Sequence, residues 1–279
     1  MMSAERTPVL WHLTVSNFNE KARWALDYKH IAHKRRTAMP AAHSLVALYL
    51  THRVATFPVL ELDGRAIGDS TEIIAALERR FPDPPLYPAD ARERRRALEL
   101  EEFFDENLGH DLRRVVFWNL LADRELVRSF AGQFMTPRQA RLLNSAFPAM
   151  RAMLRRRYSI NEFSAAQSLL KVRAAMGLIE KLLDGGEYLV GERFTVADLS
   201  GAGLLAPIIA PPEFPYGSVE APPGSRLHEL AEQLRALPAA EWVRRTYARH
   251  RPPSAEIGPA APPASHDDGT ARAAERVPA

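Results

Sequence analysis

Apolar positions recur in two rhythms along the chain, and the change comes near Phe81. Before it, short apolar runs alternate with helical recurrences. Val9–Leu13 is a nearly continuous run of the kind that suits a strand covered on both faces. After the turn Thr14–Asn19, residues Phe18, Ala22, Ala25 and Leu26 fall on one face of a helix that fades near His30. Asn17 and Glu20 have the spacing of a capping box, which makes Asn17 the expected N-cap. Ser16 then sits just outside the helix, beside its unpaired amides. Lys34–Thr37 reads as a second strand and Ser44–Thr51 as a short helix. Val59–Leu62 and Arg65–Ile67 are strands joined by Asp63-Gly64, a two-residue hairpin signal. Ile73, Ile74, Leu77 and Phe81 mark one face of a helix opening near Ser70. The order is that of a compact α/β unit.

Pro82, Pro84 and Pro85 cannot continue that helix, and residues 82–89 read as a linker. From Asp90 to Arg249 only helical recurrences are found. Arg92–Leu121, Arg138–Tyr158 and Glu162–Leu183 are three such stretches, the last stopped by Gly185-Gly186. Thr195 and Asp198 have capping-box spacing, with Phe194 and Leu199 placed as a hydrophobic staple, ahead of a buried helix to about Leu205. A proline-rich loop, Pro211–Gly224, precedes two last helices, Arg226–Leu237 and Ala240–Arg249. Residues 251–279 hold almost no large apolar side chain and are expected to form a disordered tail. The expected domains are therefore residues 1–81 and 90–250.

Composition narrows the chemistry. The chain has 279 residues and no cysteine, which excludes disulfides, thiolate metal sites and a protein thiol as nucleophile. A net charge of +3 is too mild to imply nucleic acid. The longest apolar stretch, Leu199–Ala210, falls well short of the roughly 20 residues a membrane helix needs. The N-terminus has no apolar signal core, so a cytoplasmic location is expected, with no membrane and no nucleic-acid partner. No His/Asp/Glu group has metal spacing, and no glycine-rich phosphate loop is present. The basic runs Arg92–Arg96 and Arg155–Arg157 read as solvated helix faces. Phe103, Phe104, Phe117 and Trp118 either fill the core or line an apolar pocket.

Three places could hold a small anionic ligand. Ser16 offers a hydroxyl at a helix N-terminus, or is simply a turn residue. Phe57-Pro58 precedes a strand, where a cis bond would expose the backbone of Phe57. Asp69-Ser70 opens a helix whose amides suit a carboxylate, or only caps it.

Taken in order, these pieces resemble the glutathione S-transferase superfamily over about residues 8–250. Residues Ser16–Arg23 resemble its catalytic turn and first helix, and Phe57-Pro58 its cis-proline. Asp69-Ser70 resembles its γ-glutamyl-binding pair, and Phe194–Leu199 the folding motif of its helical domain. The resemblance implies an α/β thioredoxin-like N-terminal domain followed by an all-α C-terminal domain. It implies glutathione, or a related thiol, as co-substrate, an apolar electrophile as partner, no metal, and a homodimer. It makes Ser16 the catalytic residue, stabilising a thiolate. Phe57, Pro58, Asp69 and Ser70 become thiol-binding residues, with Asn19 and Arg53 as further candidates. Arg53, with His52, is placed at the ligand end opposite Asp69-Ser70. Lacking a turn cysteine, the chain matches the conjugating rather than the thiol–disulfide-exchanging members. The alternative is a non-catalytic binding or interaction protein that keeps the fold.

Overall fold

A computed structural model describes residues 6–38, 43–132, 136–215 and 221–258. Strand β1 (Val9–His12) leads to helix α1 (Asn17–Tyr28), then β2 (Lys34–Thr37) and α2 (His43–Thr51). The hairpin β3 (Val59–Leu62) and β4 (Arg65–Gly68) is followed by α3 (Ser70–Arg80). The four strands form one mixed sheet in the order β2-β1-β3-β4. β1 runs parallel to β2, with Leu10 opposite Arg35, and antiparallel to β3, with Leu10 opposite Leu60. The hairpin turn carries positive φ at both Asp63 and Gly64, as a primed turn requires. This is the thioredoxin-like unit.

Both faces of the sheet are covered. Leu10, Leu60, Ile73, Ile74 and Leu77 join the main core under α1 and α3. On the other face Trp11, Phe57, Val59 and Ala47 form a smaller core beneath α2.

The second unit is helical among its described residues. It comprises α4 (Ala91–Phe104), α5 (His110–Leu120), α6 (Arg124–Gly132), α7 (Pro137–Arg157), α8 (Glu162–Leu183), α9 (Val196–Ile209), α10 (Arg226–Arg235) and α11 (Pro238–His250). Thr195 and Asp198 close the expected capping box: both oxygens of Asp198 accept, from the amides of Leu189 and Thr195 and from the Thr195 hydroxyl. Burial pushes the Asp198 carboxyl up to about 6. α9, buried at every position but Pro207, then forms the pillar against which α1, α4 and α11 pack.

Four details differ from the pattern's expectation. Both faces of α1 are buried: Asn19, Glu20, Lys21, Arg23 and Asp27 are as buried as its apolar residues, because α4, the turn Asp105–Gly109 and Arg251 cover the polar face that a lone α/β unit would leave wet. Its N-cap is Ser16, not Asn17, and Glu20 faces Arg23 and Arg251 instead of closing a capping box. α4 and α5 are one rod interrupted by a π-helical turn, Asp105–Gly109. And α6 separates stretches that the recurrences left as a connection.

Residues 251–258 also depart from the expected tail. Arg251 is buried and donates to Glu20 and Asp27, both at 2.8 Å. Ala255 and Ile257 then exchange backbone hydrogen bonds with His33, beside β2. The segment is held by ion pairs and backbone bonds, which a hydrophobicity count does not register. Residues 259–279, and part of the proline-rich loop, lie outside the described residues.

Candidate functional site

The turn between β1 and α1 is built by one side chain. Asn19 is fully buried, and its Oδ1 accepts from the Leu13 amide at 3.0 Å. Its Nδ2 donates to Ser16 Oγ at 2.7 Å and to the Phe57 carbonyl at 3.3 Å. Asn19 thus ties the turn to the loop ahead of β3. Because Ser16 Oγ accepts this N–H, the hydroxyl keeps its own proton for another acceptor. Ser16 is partly exposed, makes no side-chain capping bond, and stands at the N-terminus of α1.

Beneath the turn, Arg23 braces the backbone. Its Nη1 donates to the Leu13 carbonyl and to His12 Nδ1, both at 3.0 Å, while its Nε meets Glu20 at 2.9 Å. Burial and the Arg23 charge hold His12 neutral, with its pKa lowered to about 2. His12 Nδ1 is therefore an acceptor for Arg23.

The Phe57–Pro58 bond is cis. The Phe57 ring is buried against Trp11, with centroids 6.3 Å apart, and its carbonyl faces Asn19. Asp69 caps α3 with φ +74°, its Oδ1 accepting from the Thr71 amide at 2.8 Å and the Glu72 amide at 3.4 Å. Ser70 follows, buried at the first helical position. Ser16, Asn19, Phe57, Pro58 and Ser70 thus flank the tops of α1, β3 and α3.

Arg53 does not stand where the sequence reading put it. It pairs with Glu72 at 2.6 Å, on the first turn of α3, and so belongs to the Asp69-Ser70 end. Its exposed place at the foot of α2 lets it swing to the nearest carboxylate. Two basic residues that the reading did not single out lie across the site. The Arg36 guanidinium sits over the Trp11 ring at 5.3 Å, and the His43 ring meets Phe57 at 5.9 Å. No periodic signal marks Arg36, since β2 is polar throughout.

A second set of contacts joins the turn to the helical domain. Asn17 Nδ2 donates to the Gly109 carbonyl at 3.1 Å, at the end of the π turn. Gly109 is glycine for room: a Cβ there would come within 2.6 Å of the Phe18 ring. Phe18 packs on His110, with ring centroids 4.9 Å apart. Behind them Lys21 reaches Asp105 at 2.7 Å and Glu101 at 3.2 Å, and the Thr71 hydroxyl joins both carboxylates. π turns recur at functional sites, and this one faces the Ser16 turn. A separate cleft of about 370 Å³ between α5, α8 and α10 is lined by Trp118, Leu169 and Leu230, on the opposite face of α5. Among the described residues no group of acidic and histidine side chains has metal-site geometry. No described helix is long and apolar enough to cross a membrane.

Comparison with known proteins agrees with this architecture. Residues 10–85 match the glutathione S-transferase N-terminal domain family. That match spans the N-terminal unit from β1 to just beyond α3. The chain as a whole carries the glutathione S-transferase fold. The β-etherase LigF from Sphingobium sp. strain SYK-6 superposes with a TM-score of 0.63 at 20% identity, covering 88% of this chain and 96% of that one. A rice glutathione S-transferase in complex with glutathione gives 0.57 at 19% identity, covering 90% and 93%. A probable maleylacetoacetate isomerase from Caenorhabditis elegans is 25% identical over 203 residues, 72% of this chain and 79% of that protein. Within the glutathione S-transferase fold, the Ser16 turn, the cis-proline and the start of α3 occupy one end of the sheet, facing the π turn.

Proposed function

We propose that the protein transfers glutathione, or a related low-molecular-weight thiol, to an electrophile with an apolar body. The observation that carries this reading is the 2.7 Å bond from Asn19 Nδ2 to Ser16 Oγ, which leaves the hydroxyl proton available to a thiolate. A thiol is about 3% ionised near neutral pH because its pKa is roughly 8.5. A hydroxyl donor at a helix N-terminus favours the thiolate by hydrogen bond and dipole, and lowers that pKa. The thiol proton leaves to solvent, the sulfur attacks the electrophilic carbon, and a C–S bond forms as the leaving group departs with its electron pair.

In this reading the Phe57 backbone pairs with the middle of the peptide, and Ser70, through its hydroxyl and its own amide at the start of α3, holds the γ-glutamyl carboxylate. Asp69 keeps one carboxylate oxygen for the α-ammonium while the other caps α3. Arg36 and His43, rather than Arg53, face the glycyl end. A cytoplasmic setting, rich in reduced glutathione, and a homodimer belong to the same reading. Light scattering at micromolar concentration tests the dimer.

The test of the whole is calorimetry with glutathione, paired with conjugation of an activated aryl halide in wild type and Ser16→Ala. Binding with turnover that slows in the variant supports transfer. Binding without turnover favours a non-catalytic thiol-binding protein, a reading to which the capping role of Asp69 lends some support.

A further inference from the structure

Arg113 is a half-buried cation that no carboxylate faces among the described residues. Its guanidinium lies 5.8 Å from the Phe18 ring centre and 4.5 Å from that of Tyr158. The charged side chains that act on it are Arg114 and Arg157, together with the Tyr158 hydroxyl, and burial pulls its pKa down. Arg114 is already matched: it donates to Asp111 at 2.6 Å, to the Ser168 hydroxyl at 2.7 Å and to the Tyr158 carbonyl at 3.1 Å. Arg157 is exposed and lies over the same Tyr158 ring at 5.5 Å. Neither Arg113 nor Arg157 has an ion-pair partner among the described residues.

A partly desolvated guanidinium beside two like charges is unfavourable, and aromatic faces offset that only in part. The arrangement becomes favourable once an anion arrives. Its place is also informative. Phe18 follows Ser16 by two residues, and Arg113 stands one helical turn beyond His110, which packs on Phe18. Arg113 therefore lies on the helical-domain side of Ser16, away from Phe57 and Ser70, where the thiol peptide would lie.

We propose that Arg113, with Arg157 at its rim, forms a subsite for a carboxylate on the electrophilic acceptor, whose planar body lies against Phe18 and Tyr158. The planar fork of a guanidinium matches a carboxylate in two parallel hydrogen bonds. The inference rests on the thiol-transfer reading for its role, though not for its chemistry. Acceptors are then planar acids rather than wholly apolar compounds.

A chlorodinitrobenzoate and its methyl ester share the same reacting carbon. In each, the thiolate displaces chloride, which leaves with its electron pair, and the two differ in charge. Relative to the uncatalysed rates, kcat/KM for the acid should exceed that for the ester by at least about tenfold. Arg113→Gln should collapse that ratio, and Arg113→Lys should keep part of it. Unreactive dinitrobenzoate and its methyl ester, titrated by calorimetry, test the subsite without turnover. The acid should bind about tenfold tighter in wild type and lose that advantage in Arg113→Gln. Thermal melting checks folding, and Arg113→Lys carries the comparison if the glutamine variant fails to fold. Equal binding of acid and ester, or an unchanged preference in a folded variant, overturns the subsite. Binding that depends on Arg113 without conjugation of either chloro compound upholds the subsite and removes the transfer reading.

Discussion

Asn19 donates to the Ser16 hydroxyl at 2.7 Å and, from the same nitrogen, to the Phe57 carbonyl at 3.3 Å. The donor of the proposed thiolate bond is thus positioned from the cis-proline loop. Removing the hydroxyl in Ser16→Ala deletes a hydrogen bond to a charged group, worth roughly 1.5–3 kcal/mol. The bound thiol's pKa should rise by about 1–2 units, since one unit is about 1.4 kcal/mol. Asn19→Asp should act in the same direction, because its carboxylate would draw the Ser16 proton back into the turn. A pH–rate profile for each variant checks this. A wild-type profile in both would place catalysis elsewhere.

The ligand's two ends give a second prediction. Ser70→Ala should weaken thiol binding by about tenfold, because that factor corresponds to roughly 1.4 kcal/mol. Arg53→Ala should have little effect, since its partner is the exposed Glu72. Arg36→Ala should weaken binding more than Arg53→Ala. Asp69→Ala acts partly through the cap and should cost about 1 kcal/mol of stability. Titration calorimetry alongside thermal melts separates the two effects. Normal binding in a folded Ser70→Ala, with loss in Arg53→Ala, would reverse the ligand's placement.

The two-unit architecture was legible because it is written in local signals. Alternation, the Asp63-Gly64 turn, the proline break and the Thr195–Asp198 cap each act within a few residues. What escaped is non-local. Lys21 meets Glu101 and Asp105, and Glu20 and Asp27 meet Arg251, all far along the chain, so no window of sequence shows these pairs. The π turn gives no periodic signal of its own. Arg53 was misplaced for a similar reason: spacing from Pro58 fixes its distance along the chain, not the carboxylate it meets. The clustering of Ser16, Asn19 and Phe57 was readable, but the bond that organises them was not.

The Asp198 cap should be costly to alter. Its two oxygens accept from two amides and one hydroxyl, and asparagine presents one acceptor oxygen and a donor in their place. Asp198→Asn should cost about 2 kcal/mol, the usual penalty for a stranded buried donor. That corresponds to a fall of roughly 4–8 °C in Tm. The folded carboxyl is raised to about 6, so protonation favours the fold. Its contribution is largest below the unfolded pKa of about 3.9 and declines as pH rises through 6. The Tm gap between wild type and variant should therefore be wider near pH 4 than near pH 7.

Lys21, Asp105 and Glu101 join α1 to α4 and the π turn with two carboxylates for one ammonium. Glu101 is buried, and its Oε2 has no hydrogen-bond partner. Burial raises its pKa, while Lys21 pulls it the other way. Lys21→Met would strand the buried Glu101 and leave the partly exposed Asp105 without its cation, and losing one partner of a buried pair costs about 3–5 kcal/mol. Glu101→Gln should stay within about 1 kcal/mol of wild type, because Asp105 still answers Lys21 at 2.7 Å and the desolvated carboxylate is gone. The sign with pH follows from the raised pKa. Wild-type stability from this group is present below the unfolded value and declines as pH rises through the folded one. Glu101→Gln, which cannot titrate, should therefore gain on wild type as pH is raised. Denaturant unfolding of both variants across that range checks the pair. A Glu101→Gln loss as large as that of Lys21→Met would mean that the glutamate, not the lysine, anchors the joint.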